Sequence, residues 1–154
     1  DGAIASYQRA LSLRVLSPDP NLAVYHAHLG IRLRKKGDLD GAISSFKQAI
    51  FVAGSEDTKD TLLFAEIYNN LADALRSSSG KLESALEMVR HAISLDPDEG
   101  AYHATLGEIL RDMGDLAGAL ASVQKAISLD AEEDCAEETG ALLRELMRRM
   151  AHDA

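Results

Sequence analysis

Cysteine is almost missing from this chain. Cys135 is the single one, which excludes an internal disulfide framework and a cysteine-rich zinc site. Proline is scarce as well, with three residues. Runs of alternating Val, Thr and Tyr are absent, and together these shortages argue against a β protein. No apolar run approaches the roughly 20 residues that a membrane span needs, so no membrane insertion is expected. Positive charge is in deficit: 16 Lys and Arg stand against 25 Asp and Glu, a net charge of -9. That balance disfavours nonspecific contact with polyphosphate, and no nucleic-acid partner is expected. No secretory leader is visible at Asp1, which points to a cytoplasmic location. The chain also opens in the middle of a recurring phrase, so the expectation is a fragment of a longer protein.

What is present is helix-forming. Ala, Leu, Glu, Lys and Arg dominate, hydrophobic residues make up 46% and charged residues 27%. This is the composition of a folded soluble chain, and 154 residues can bury a sizeable core.

One phrase recurs. GDLDGAISSFKQAI (37–50), GKLESALEMVRHAI (80–93) and GDLAGALASVQKAI (114–127) share a pattern, and DGAIASYQRAL at the start matches its later part. Leu39, Ala42, Ile43, Phe46, Ala49 and Ile50 fall at helical spacing and form one stripe. Gly37 can end the preceding helix in a left-handed turn, and Asp38 can cap the next. Another helical element precedes each full phrase, ending at Gly37, Gly80 and Gly114. In each, a Leu sits before a small residue (Leu29–Gly30, Leu71–Ala72, Leu106–Gly107), and a further Leu follows at Leu33, Leu75 and Leu110. The small residues predict close approach of a neighbouring helix. The unit is helix, tight turn, helix.

These motifs resemble the tetratricopeptide repeat, whose period is about 34 residues. The resemblance rests on the Leu–Gly pairs, the Gly–Asp turns, and the series Ala3–Tyr7–Ala10, Ala42–Phe46–Ala49, Ala85–Val89–Ala92 and Ala119–Val123–Ala126. Pro97 stands where the family closes its second helix. Where the family often has Trp, this chain has His26, Tyr68 and His103. The intervals Ala10–Ala49 and Ala49–Ala92 are longer than Ala92–Ala126 and resemble the extended repeats of kinesin light chains. The fold implied is all-α: a right-handed superhelical α-solenoid of helix-turn-helix repeats with a C-terminal capping helix. One domain is expected over 1–154. Residues 1–16 would be the second helix of a truncated repeat, 22–53, 58–95 and 99–129 full repeats, and 132–152 the cap. Ala136, Leu142, Leu143, Leu146, Met147 and Met150 would form the cap's apolar stripe. Ile4, Tyr7 and Leu11 would face a missing helix, which opens a route to homo-oligomers through the N-terminal end.

Candidate chemistry is thin. His26 and His28 are two apart, so on a helix they diverge and do not share a metal easily. Acidic neighbours around Cys135 blunt its thiol. A GxGxxG loop, a P-loop and a nucleophile elbow are all absent. No enzyme activity, metal or cofactor is expected.

Surface is what remains. A stack of helix pairs leaves a concave face lined by the first helix of each pair. Helical spacing places His28, Ile31, Arg34, Asn69, Asn70, Asp73, Arg76, Thr105, Glu108 and Arg111 on that face. An Asn amide can donate to and accept from a bound peptide backbone. Arg34, Arg76 and Arg111 recur at equivalent places. They would grip partner carboxylates, or else pair with acids of the chain itself. Some tetratricopeptide domains clamp the C-terminal carboxylate of heat-shock chaperones with a lysine–asparagine set. Asn70 fits one place in that set, but Ala27, Asn69 and Ala104 replace the lysine, so such a clamp is not expected. The resemblance implies a noncatalytic scaffold that binds a protein or peptide partner in the groove. A self-assembly module and the regulatory arm of a larger enzyme are the alternatives.

Overall fold

The computed structural model describes residues 2–12, 21–55, 61–78, 80–129 and 136–152. Among them the regular structure is entirely helical. The helices are α1 (Gly2–Ser12), α2 (Leu22–Lys36), α3 (Leu39–Ser55), α4 (Thr61–Ser77), α5 (Leu82–Leu95), α6 (Gly100–Asp112), α7 (Leu116–Leu129) and α8 (Ala136–His152).

Three hairpins follow from three glycines. Gly37, Gly80 and Gly114 have φ of 87°, 76° and 87°, a left-handed conformation that glycine enters without a Cβ penalty. At the first turn the Gly37 N–H donates to the Arg34 carbonyl and the Asp38 N–H to the Leu33 carbonyl. The third turn repeats this with Gly114 to Arg111 and Asp115 to Leu110. Asp38 and Asp115 then cap the next helices, each accepting from the backbone N–H three residues on, Gly41 or Gly118, at 2.9 Å. The middle hairpin has Lys81 in that place, and its side chain makes no cap.

The hairpins α2/α3, α4/α5 and α6/α7 stack in chain order, through α3 on α4, α5 on α6 and α7 on α8. The first helices also touch one another: α2 meets α4, α4 meets α6, and α6 meets α8. Among the described residues the second helices α3, α5 and α7 do not. Like helices converge on one side and splay on the other, so the stack is an α-solenoid curved with α2, α4, α6 and α8 on its inner wall.

The core is an alanine-lined seam between the two rows. Ala42, Phe46, Ala49, Ala85, Val89, Ala92, Ala119 and Val123 are all fully buried, as the recurring series predicts. The small residues on the facing helices do what was expected of them. A Cβ on Gly30 would lie 2.7 Å from the Phe46 ring, and one on Gly107 would lie 2.7 Å from Val123 Cγ2.

The ends differ in part from expectation. Ile4 packs against the chain's own main core rather than facing open space, whereas Ala3 of the first series is exposed. The side chains of Tyr7 and Leu11 lie outside the described residues. In α8, Leu142 and Leu146 are buried beside Ala119 and Val123, but Met147 and Met150 of the same stripe are exposed. Cys135 and the acidic residues 132–134 lie outside the described residues, as do 56–60 in the connection between α3 and α4.

Candidate binding wall of the first helices

The residues selected from helical spacing lie on α2, α4 and α6, and they divide into two zones. Toward the C-terminal ends of α2, α4 and α6, the charged ones form a continuous chain of ion pairs. Arg34 on α2 bonds Asp73 on α4. The other Asp73 oxygen accepts from Arg76 Nη2 at 3.0 Å. Arg76 then crosses to α6, reaching Glu108 at 3.0 Å and Asp112 at 3.2 Å. Arg111 holds Asp112 at 2.8 Å and reaches Glu145 on α8 at 3.8 Å, and Glu145 also pairs with Arg149.

The repeat register explains this chain. The arginine lies four residues beyond the small contact residue of its helix, and the acid lies one beyond that of the next. Stacking brings them face to face. Of the two readings open for the arginines, the structure shows the internal one: each already holds carboxylates of its own chain. Burial opposes the charge on Arg76, but Glu108 and Asp73 outweigh it and raise its pKa. Burial also raises the Glu108 pKa, with Asp73 adding to it and Arg76 and Arg111 pulling the other way. Ile31 occupies the acid's place on α2, so the chain of pairs begins at Arg34.

The N-terminal halves of the same helices are open. A narrow crevice between α2 and α4 is lined by Val24, Ala27, His28, Ile31, Leu63, Glu66, Ile67 and Asn70. Between α4 and α6 lies a cleft of about 630 Å³, lined by Leu62, Leu63, Glu66, Asn69, Asp96, Glu99, Ala101 and Tyr102. Glu66 borders both. The two asparagines therefore point to different sides of α4. Asn70 spends one donor on the Glu66 carbonyl at 3.0 Å. Asn69 Oδ1 is walled off from solvent and accepts no hydrogen bond. Thr105 turns back on its own helix, donating to the Ala101 carbonyl at 3.1 Å.

Asp96, Glu99 and Tyr102 escape reading from the sequence as part of this wall. Asp96 and Glu99 belong to the short link around Pro97, outside any helical stripe. Glu99 caps α6 by accepting from the Ala101 N–H at 3.4 Å. Tyr102 is pushed up to about 12, first by burial and then by Glu99, Asp96 and Glu66.

The three residues at the family's Trp position are all half-buried. Burial lowers the His26 pKa, Tyr68 stacks on His91 with centroids 5.3 Å apart, and His103 Nε2–H donates to the Pro97 carbonyl at 2.9 Å. Among the described residues no group of three or more His, Cys, Asp or Glu side chains is placed to hold a metal ion. No described helix is long and apolar enough to cross a membrane.

Residues 65–99 and 101–133 match the family model of the tetratricopeptide repeat. No curated protein matches the chain. Solved structures with the same fold include the first TPR domain of Spaghetti (RPAP3) bound to the HSP90 peptide SRMEEVD. The similarity has a TM-score of 0.72 at 18% identity, covering 87% of this chain and 99% of that one. The Sgt2 TPR domain from Aspergillus fumigatus gives 0.73 at 23% identity, covering 91% and 85%. The TPR2B domain of yeast Sti1 in complex with pHsp70 gives 0.71 at 22%, covering 82% and 97%.

Proposed function

We propose that this chain, which carries tetratricopeptide repeats at 65–99 and 101–133, is a noncatalytic protein-interaction module. It binds a peptide segment of a partner along the inner wall of α2, α4 and α6. One observation carries the reading. The wall is open on both sides of α4, and the openings are lined by side chains that mix apolar surface with polar groups, among them Glu66, Asn69 and Asn70. One structure of the same fold is bound to an HSP90 peptide and another is a complex with pHsp70, which supports a peptide as the occupant.

Within this reading Arg34, Arg76 and Arg111 hold the first helices together, and contact with the guest falls to the N-terminal halves. His28, Ile31, Asn69 and Asn70 are the contact residues, joined by Glu66 and Tyr102. The alternative, self-association through the N-terminal end, loses Ile4, which packs on the chain's own core.

The test is selection of binders from a displayed random dodecapeptide library, followed by mapping on isotope-labelled protein by amide chemical shifts. Shifts are expected along α2, α4 and α6, with affinity reduced by Asn69→Ala combined with Asn70→Ala. Shifts confined to α3, α5 and α7, or a selection that yields no binder, would overturn the assignment.

A further inference from the structure

We infer that the cleft between α4 and α6 seats a lysine or arginine side chain of the bound segment, so that the wall selects a basic and apolar guest. The inference rests on the peptide-binding reading above and names the chemistry of its occupant.

Charge complementarity is the first ground. Glu66 on α4, Asp96 in the link and Glu99 at the start of α6 all line this one cleft, and among the described residues no Lys or Arg lines it. Their surroundings contrast with the other half of the wall, where every carboxylate of the ion-pair chain has a guanidinium. Carboxylates gathered in a cleft with partly apolar walls focus a negative potential that attracts a cation.

A guest carboxylate would meet three like charges in this cleft.

Shape is the second ground. Leu62, which is 61% exposed, borders the cleft together with Leu63, Ala101 and Tyr102. A Lys or Arg stem has three or four methylenes that lie along such surface while the head reaches the carboxylates. That Tyr102 responds to Glu99, Asp96 and Glu66 alike agrees with their convergence on one place.

The library selection tests this through composition and two charge-matched variants. Selected peptides should be enriched in Lys or Arg beside apolar residues, with shifts at Glu66, Asn69, Glu99 and Tyr102. Glu66→Gln with Glu99→Gln should weaken a selected synthetic peptide by about tenfold or more. Glu83→Gln with Glu87→Gln, which removes equal charge from exposed sites on α5, should leave it nearly unchanged. Equal weakening by both variants would mean that net charge alone attracts the peptide, and would overturn the inference. Enrichment in Asp, Glu or apolar residues alone, still mapping to α2, α4 and α6, would overturn it while leaving the peptide-binding wall intact. A selection with no binder on the wall would overturn both.

Discussion

Gly30 on α2 lies against the ring of Phe46 on α3, so closely that a Cβ at Gly30 would fall 2.7 Å from Cε1. The pair sets how near the first and second helices of this repeat can come. Gly107 against Val123 does the same two hairpins later. Helix propensity opposes this choice, since Gly costs about 1 kcal/mol relative to Ala in a helix interior. Close packing therefore wins over local preference at both sites.

Gly30→Ala should lower the unfolding free energy by about 1–2 kcal/mol in urea titration, the overpacking cost exceeding the propensity gain. In a Phe46→Val background the same substitution should cost less, giving a measurable coupling energy. A stabilising Gly30→Ala in the native background would mean that the ring yields freely.

The hairpin at Gly80 offers the converse case. Lys81 stands where Asp38 and Asp115 cap the other turns, and it places a positive charge at the positive end of α5. Its ammonium lies 3.5 Å from Asp40, whose side chain is 92% exposed, so little is lost with that pair. Lys81→Ser should raise stability by about 1 kcal/mol, read as a shift in the urea midpoint at constant slope.

Asp73 joins Arg34 to Arg76 across α2 and α4. Asp73→Asn should cost about 1–2 kcal/mol, because two partly buried guanidinium groups lose one shared counter-charge. The exposed pair supplies the control: Asp40→Asn should change stability by less than about 0.5 kcal/mol. Comparable effects from the two would show that the ion-pair chain adds nothing beyond surface pairing.

Tyr102 makes the fold sensitive to alkali. Its folded pKa is raised from 10.0 to about 12, so the folded state holds this proton where the unfolded chain has lost it. Its contribution to stability is therefore fully present below pH 10 and is lost as pH rises toward about 12. Ultraviolet titration should show one phenol ionising late, and Tyr102→Phe should remove that component. The same variant should flatten the fall in stability over this range relative to the native chain.

Much of the architecture is legible in the residues. The left-handed turns fall at Gly37, Gly80 and Gly114, and the helical stripe of each of the three full phrases becomes its buried face. These are local properties, decided by the absence of a Cβ or by the period of a helix. The acidic cleft is not legible in this way. Glu66 is far along the chain from Asp96 and Glu99, and the last two lie in a link that carries no periodicity. Asn69 and Asn70 read as one pair, yet neighbours on a helix point about 100° apart, and α4 has a different opening on each side.

The sequence by itself determined that helices would form, where they would turn, and which small residues would allow close approach, because these depend on a few adjacent residues. Tertiary structure decided which carboxylates Arg34, Arg76 and Arg111 would meet and which acids would gather in one cleft. Those outcomes depend on the register in which one hairpin settles on the next. The recurrence of Arg34, Arg76 and Arg111 was visible from the start, but its meaning waited on that register. Stacking turned a row that resembled a grip for a guest into the seam that joins α2, α4, α6 and α8.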